Sequence, residues 1–402
     1  MTAVPADLYK LFSDAARQRL LDLRHDLHRH PELSFREERT AERLYEVLAD
    51  LDPASLERVA TTGIVARVAG EDPNAPVVAV RGDIDALPID EATGLEYSSV
   101  NPGVMHACGH DVHATWAVGA AQLLAERPAR GDVLVVLQPA EETGRGAAAI
   151  LDTGVLDEAR AMFGGHVDRR FAVGQVVAES GPLAAAADVF SIVLRGSGAH
   201  GARPHEGSDP IVGAAAVITA LQSIVSRRVS PGTAAVVTVG TINAGSATNV
   251  IPETASLSGT LRAMDPDTRQ LLHDEVRRIV NQTALAHNLS ADITLESGPP
   301  PIVNQEEHVA WARQAVSSLL GAEALVPIGT LNMGGEDFAY YLEKLPGCFL
   351  RIGAREPGGD VIPAHTPRFY AADDTIFVGA AVLAETARVA SAALAGQNRH
   401  DT

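Results

Sequence analysis

Val77-Val78-Ala79-Val80-Arg81-Gly82-Asp83-Ile84-Asp85 reads as a short buried strand running out into two carboxylates. Asp83 and Asp85 lie two apart, so in extended chain they share a face. They either orient a neighbouring imidazole or form a polar turn in which Asp85 caps the next segment. The residues alone leave both readings open. On either side of this stretch the pattern repeats. Residues 7–30 place Leu20, Leu21, Leu23 and Leu27 on one side of a helix that His30-Pro31-Glu32 ends. Helices follow at 37–49 and 112–126, and strands at 132–137 and 161–163. Strands alternating with helices predict a largely parallel sheet. In such sheets chemistry collects beyond the carboxyl ends of the strands.

The middle of the chain changes character. Strand 188–194, helix 211–227, strands 235–242 and 255–262, helix 268–287 and strand 291–295 make a β-α-β-β-α-β order, the ferredoxin-like unit. Helix 211–227 is expected to be buried. Gly298-Pro299-Pro300-Pro301 marks a boundary. The α/β pattern then resumes with helix 306–320, strand 348–352 and helix 375–395. With 402 residues the chain suits two domains. The expectation is a discontinuous larger domain, 1–184 with 299–402, and an inserted one at 185–298.

Composition narrows the function. Lys plus Arg is 32 against 51 for Asp plus Glu, a formal charge of −19, which excludes the basic surface of a nucleic-acid binder. Cys108 and Cys348 form no CxxC and no disulfide framework, which suits a reducing, cytoplasmic compartment. Residues 1–20 are punctuated by Asp7, Lys10, Asp14 and Arg17 and lack an apolar signal core. No uncharged run is expected to span a bilayer.

Met105-His106-Ala107-Cys108-Gly109-His110-Asp111 directly precedes helix 112–126. In extended chain His106, Cys108 and His110 share a face, and a thiolate with an imidazole at that spacing makes half of a metal site. Gln138-Pro139-Ala140-Glu141-Glu142 follows a strand that Pro139 ends, so one carboxylate can bind metal while the other moves protons. Gly164-Gly165-His166 also follows a strand, and Pro363-Ala364-His365-Thr366-Pro367 forms a rigid loop. Each motif alone is weak, since a solvated Glu pair or a lone His is ordinary. Their repetition at strand ends carries the argument. Arg195-Gly196-Ser197-Gly198-Ala199-His200-Gly201 contains G-x-G-x-x-G, but Pro204 follows too closely and 211–225 carries no acid, so a dinucleotide site is rejected.

These residues resemble the dinuclear-metal peptidase and amidohydrolase family of aminoacylase, carboxypeptidase G and hippurate hydrolase. Within it they look most like the N-acyl-amino-acid amidohydrolase branch that includes the auxin-amide hydrolases. The likeness runs nearly end to end, through Leu23–Leu33, Arg81–Pro88, Met105–Asp111, Pro139–Glu142, Gly201–His205, Asn249–Pro252, Gly334–Phe338 and His365–Pro367. It implies a zinc-exopeptidase-like catalytic domain with an inserted ferredoxin-like lid and dimerisation domain. It further implies that Cys108, His110, Glu142, His166 and His365 hold two divalent metal ions per subunit, zinc or manganese with cobalt or nickel as alternatives. Glu141 resembles the general base, and His200 the lid histidine that steadies the oxyanion in the partner subunit's site. Asn249 and Arg262 resemble groups that grip the substrate's carboxylate or carbonyl. The implied substrate is an N-acyl amino acid, with a dipeptidase, carboxypeptidase or aminopeptidase of the same fold as the alternative. The implied assembly is a homodimer or higher homo-oligomer through the lid. Two departures stand out. The chain has Asp83-Ile84-Asp85 where related peptidases have His-x-Asp. Arg169-Arg170 also lies just after His166, where the branch has a shorter turn, and a basic pair there is positioned to alter substrate choice.

Overall fold

A computed structural model describes residues 4–331 and 333–397. The chain divides into two compact units, Met1–Gly181 with Asn304–Thr330 and Tyr340–Thr402, and Pro182–Val303 with Leu331–Ala339. In chain order the first unit has helices α1 (Asp14–Arg29) and α2 (Glu38–Ala49) and strands β1 (Ser55–Val59), β2 (Gly63–Val68) and β3 (Val77–Asp83). Helix α3 (His110–Glu126) and strands β4 (Val133–Gln138), β5 (Ala159–Ala172) and β6 (Val176–Val177) follow. The second unit supplies β7 (Ala186–Arg195), α4 (Pro210–Arg227), β8 (Ala235–Ala244), β9 (Thr254–Ala263), α5 (Pro266–Ala286) and β10 (Ser290–Glu296). The first unit resumes with α6 (Glu306–Leu320), β11 (Gly347–Arg355) and α7 (Asp374–Gln397).

Among the described residues the first unit holds a seven-stranded sheet in the order β1-β2-β4-β3-β5-β11-β6. Its centre, β4-β3-β5-β11, is parallel, while β1, β2 and β6 pair antiparallel at the edges. Helix α3 is buried from His110 to Leu124, which its Ala-rich sequence allows because small side chains let neighbours close in on every side. Gly82 is needed for that approach: a Cβ there would lie 2.3 Å from the carbonyl oxygen of His113.

Two local readings change. The helix expected over 7–30 is split into a turn at Ala6–Tyr9 and α1, because the Ser13 hydroxyl accepts from the Ala16 N–H and caps a new start. The strand expected to stop at 163 runs on to Ala172, so His166 lies within β5 rather than after it. Gly164-Gly165 lies inside the strand as well. The missing side chain at Gly165 makes room for Ile352 of β11, whose Cδ1 would stand 3.3 Å from a Cβ there.

The second unit is an antiparallel sheet in the order β8-β9-β7-β10, with the βαββαβ connectivity of a ferredoxin-like fold. Phe190, Ile192 and Leu194 of β7 pack with Leu257 and Leu261 of β9 and with Leu221 of α4 and Val276 of α5. Asp209 accepts from the first N–H groups of α4, and Pro210 opens the helix. Helix α4 is not fully buried as expected. Its Ala214–Val217–Leu221 face is covered, but Ile211, Val212 and Val225 are exposed.

Candidate metal centre

The first unit gathers Cys108, His110, Glu141, Glu142, His166 and His365 around one point. His166 Nε2 lies 3.2 Å from Cys108 Sγ, and His365 Nε2 lies 3.3 Å from the same sulfur. His365 Nε2 is also 3.5 Å from Glu142 Oε2. His110 Nε2 stands 3.8 Å from Glu142 Oε1 and 3.9 Å from Glu141 Oε2. Ligand atoms of Cys108, His110 and His166 fall within 4.8 Å of one another, as do those of Cys108, Glu142 and His365.

Each of these positions has a local cause. Gly109 precedes α3 at φ 92°, and a Cβ there would lie 2.5 Å from Val167 Cγ2, so glycine is required twice over. His110 is the first residue of α3 and points its Nδ1 at Asp85 Oδ1, 3.1 Å away. Asp85 also accepts from the Glu141 N–H through Oδ1 and from the Glu142 N–H through Oδ2, both at 3.1 Å, and from the Ser34 hydroxyl at 2.7 Å. One carboxylate thus aims the imidazole and shapes the Glu141–Glu142 turn, and the orienting reading of Asp85 prevails over the capping one. Ala140, at φ 53°, enters that turn in a left-handed conformation costing about 1–2 kcal/mol for a non-glycine residue, with its N–H held by Glu37.

The imidazole of His166 is set as an acceptor. His166 donates Nδ1–H to the carbonyl of Val167 at 2.6 Å, leaving Nε2 as a lone pair facing Cys108. The Nε2 of His110 and the Oε1 of Glu142 are buried without a hydrogen-bond partner, as expected of atoms shaped for a cation. Electrostatics agree. Burial, then the Glu142 carboxylate, push the Cys108 thiol up, and burial with Asp85 and Asp83 nearby pushes Glu142 up against the pull of His110. A dication reverses both shifts, so a sulfur, nitrogen and oxygen donor set of this kind fits metal.

His113 was not singled out in the sequence, although it lies one turn from His110 on α3. It is no ligand. Its Nδ1 donates to Asp83 Oδ1 at 2.6 Å and its Nε2 accepts from the Val167 N–H at 2.9 Å. Asp83 is held in turn by Arg81, 2.5 Å from its Oδ2, and Arg81 donates to Gln138 at 2.8 Å. The ladder between β3 and β5 stops at Arg81 and Gly164, so beyond it His113 takes up the backbone N–H beside His166. Asp111 is fixed from the other side by Arg24 Nε and His28 Nδ1, each at 2.9 Å. Burial opposes ionisation of Asp111, but those two cations hold its carboxyl well below the usual range.

His200, Asn249 and Arg262 belong to the second unit. His200 and Val250 pair across a short antiparallel ribbon, Ala199–His200 with Val250–Ile251. His200 is exposed, and its Nδ1 accepts from the Ala202 N–H at 3.0 Å. The Asn249 carbonyl accepts from the Gly201 N–H at 2.7 Å. Arg262 lies on β9 between Val236 and Ala187, on the face opposite the one that Leu261 buries.

Residues 79–389 match the model of peptidase family M20/M25/M40. The chain is 41% identical over 373 residues to an N-acetyl-L-cysteine deacetylase of Bacillus subtilis, covering 92% of this chain and 88% of that one. It is 35% identical over 374 residues to IAA-amino acid hydrolase ILR1-like 2 of Arabidopsis thaliana, covering 92% and 84%. Among solved structures it resembles the YXEP protein of Bacillus subtilis, described as a dinuclear metal binding peptidase, with a TM-score of 0.83 and 34% identity over 94% of this chain and 99% of that one.

Proposed function

The chain belongs to peptidase family M20/M25/M40 and is a hydrolase of amide bonds, and we propose that it cleaves N-acyl or N-aroyl amino acids to a carboxylic acid and a free amino acid. One observation carries this reading: Glu141 stands beside a cluster in which three imidazole Nε2 atoms, a thiol and a carboxylate converge. Cys108, His110, Glu142, His166 and His365 hold two divalent cations in this proposal. When bound, the cations supply Lewis acidity, lowering the pKa of water towards about 7 and polarising a carbonyl oxygen. The thiol favours zinc, and the nitrogen and oxygen donors also accept manganese, cobalt or nickel.

The chain's own residues supply the rest. Glu141, its N–H pinned on Asp85, takes the proton of the attacking water and passes it to the amine as the C–N bond breaks. His200 donates to the developing oxyanion in the partner subunit's site. Because its Nδ1 accepts from the Ala202 N–H, its neutral form carries the proton on Nε2, ready to donate. Asn249 and Arg262 hold the substrate's carboxylate or carbonyl, a role that suits a guanidinium.

The test is chelation, reconstitution with zinc or manganese, and assay against N-acetyl and N-benzoyl amino acids beside free-amine dipeptides. Cleavage confined to the acylated substrates is expected. Faster cleavage of free-amine peptides replaces this reading with a dipeptidase or aminopeptidase. Glu141→Ala should abolish turnover with both metals retained, and His200→Ala should lower kcat about a hundredfold or more at unchanged metal content.

The proposal extends to assembly and setting. Strand β8 is an edge strand with mostly exposed residues, and α4 of the same unit exposes Ile211, Val212 and Val225. An open edge beside apolar side chains suits pairing with a second copy, read out as a solution mass of two chains or more. A chain of two cysteines with no CxxC suits a cytoplasmic setting, which the proposal includes.

A further inference from the structure

Arg169 does not face a substrate, as the basic pair after His166 suggested. Its side chain is buried, and its guanidinium is occupied by protein. Nη1 and Nη2 grip the two oxygens of Glu356 at 2.8 and 3.2 Å. Nη2 also donates to the Asp360 carbonyl at 2.8 Å, and Nη1 to the Tyr370 carbonyl at 3.1 Å. The guanidinium stacks over the Tyr370 ring 4.2 Å from its centroid, and the Tyr370 hydroxyl donates to Glu356 at 2.5 Å. A single side chain from β5 therefore ties the beginning, middle and end of the segment 356–370, between β11 and α7.

That segment carries His365, which sits at φ 62° with a half-exposed side chain. The segment is also fixed by Phe369, which is buried in the core, and by Arg355, which donates to the Gly359 carbonyl at 3.4 Å. The His365 N–H donates to the Ala107 carbonyl at 2.8 Å, and the Pro367 carbonyl accepts from Ala92 at 2.7 Å. A long loop holding a left-handed residue needs its ends closed, and closure is what the guanidinium fork provides. Arg169 lies three residues from His166 on the same strand, so the anchor of one candidate ligand is built into the strand that presents another.

We propose that Arg169 is a positioning residue for His365, holding the cation site formed by Cys108, Glu142 and His365 in register with the rest of the centre. The proposal rests on the reading of His365 as a ligand. Arg169→Met keeps the length and apolar stem but removes every bond the guanidinium makes. Arg169→Lys keeps the charge without the fork, and Glu356→Gln keeps the carbonyl contacts. His365→Ala removes the ligand itself.

The experiment is a zinc titration of metal-free full-length protein against a competing chelator, with denaturant unfolding of each metal-free variant. Wild type is expected to take two equivalents and His365→Ala one. Arg169→Met should weaken one equivalent about 10–100-fold and leave the other unchanged, with Lys and Glu356→Gln in between. Two equivalents in His365→Ala would show that His365 is no ligand, and the proposal falls with that reading. With one equivalent in His365→Ala, wild-type affinities in Arg169→Met overturn the clamp alone. Equal weakening of both equivalents would mark Arg169 as a general folding residue and likewise overturn it. If Arg169→Met does not fold, Arg169→Lys and Glu356→Gln decide by the same selective loss of one equivalent.

Discussion

His166 and His365 approach one sulfur almost equally closely, at 3.2 and 3.3 Å, yet they are held by opposite kinds of structure. His166 sits inside a strand flanked by β11, and its neighbour's N–H is locked by a wholly buried relay of His113, Asp83 and Arg81. His365 sits on a loop, half exposed and left-handed, held at its base by Arg169. The strand side is positioned by the sheet that also makes the core. The loop side is positioned by the Arg169 fork, by isolated backbone bonds and by the buried Phe369 ring, with no strand ladder of its own. A centre built this way should hold its two cations unequally, the loop-held one being the first to leave.

Cys108 is common to both sides, so its loss should have the largest effect. Cys108→Ala is expected to empty the centre where wild type keeps two equivalents, and to lower activity by roughly 10³-fold or more. Metal analysis after gel filtration reads this directly. Full occupancy in the variant would mean that the sulfur is merely buried, and the two sides would no longer share a ligand.

The strand side alone is challenged at His113. His113→Phe removes both the bond to Asp83 and the acceptor for the Val167 N–H. It should weaken the cation near His166 by about 10–100-fold and spare the one near His365. Selective loss of the His365-held cation would invert the comparison. His113→Gln should recover part of the affinity, because its amide oxygen can still accept from Val167.

Much of this architecture can be read in the chain. The buried run at Val77–Val80 and the βαββαβ order of the middle lead to the α/β architecture with an inserted domain, and the resemblance carried by the motifs leads to the family and to a hydrolase of amide bonds. Strand-end reasoning points to Cys108, His110, Glu141, Glu142 and His166, the resemblance adds His365, and the fold draws these side chains together. What escapes is what depends on register. His113 looks like any helical histidine until the β3–β5 ladder is seen to end at Gly164, three residues before Val167. Gly164-Gly165 reads as lying after a strand because glycine is sparse in strand interiors, and the packing of Ile352 against Gly165 appears only with the β5–β11 pairing. Arg169 looks available to substrate because charge is ordinarily solvated. Its burial depends on Glu356 and Tyr370, far along the sequence.

The smallest expected effect comes from acid and separates the two sides without mutating a ligand. Burial pushes the Glu356 carboxyl up, but Arg169 and the Tyr370 hydroxyl outweigh it and bring it from 4.5 down to about 2. A carboxylate depressed in the folded state stabilises that state above its unfolded pKa, and the contribution fades as pH falls from there through the folded value. The clamp on 356–370 should therefore be intact at pH 5, weaken between about 4 and 2, and be gone below. In metal-free protein, backbone hydrogen exchange in this segment, corrected for the intrinsic pH dependence, should rise about 2–5-fold over that window, the range of a partly solvated ion pair. Protection along the His166 strand should change less, since the β5–β11 ladder pairs it backbone to backbone, and Arg81 and His110 hold Asp83 well below the usual carboxylate range despite its burial. In Glu356→Gln the loop should exchange faster at neutral pH and show no step on acidification. A loop as protected at pH 2 as at pH 7 would show that the fork, not its charge, does the holding, and the contrast between the two sides would then be one of geometry alone.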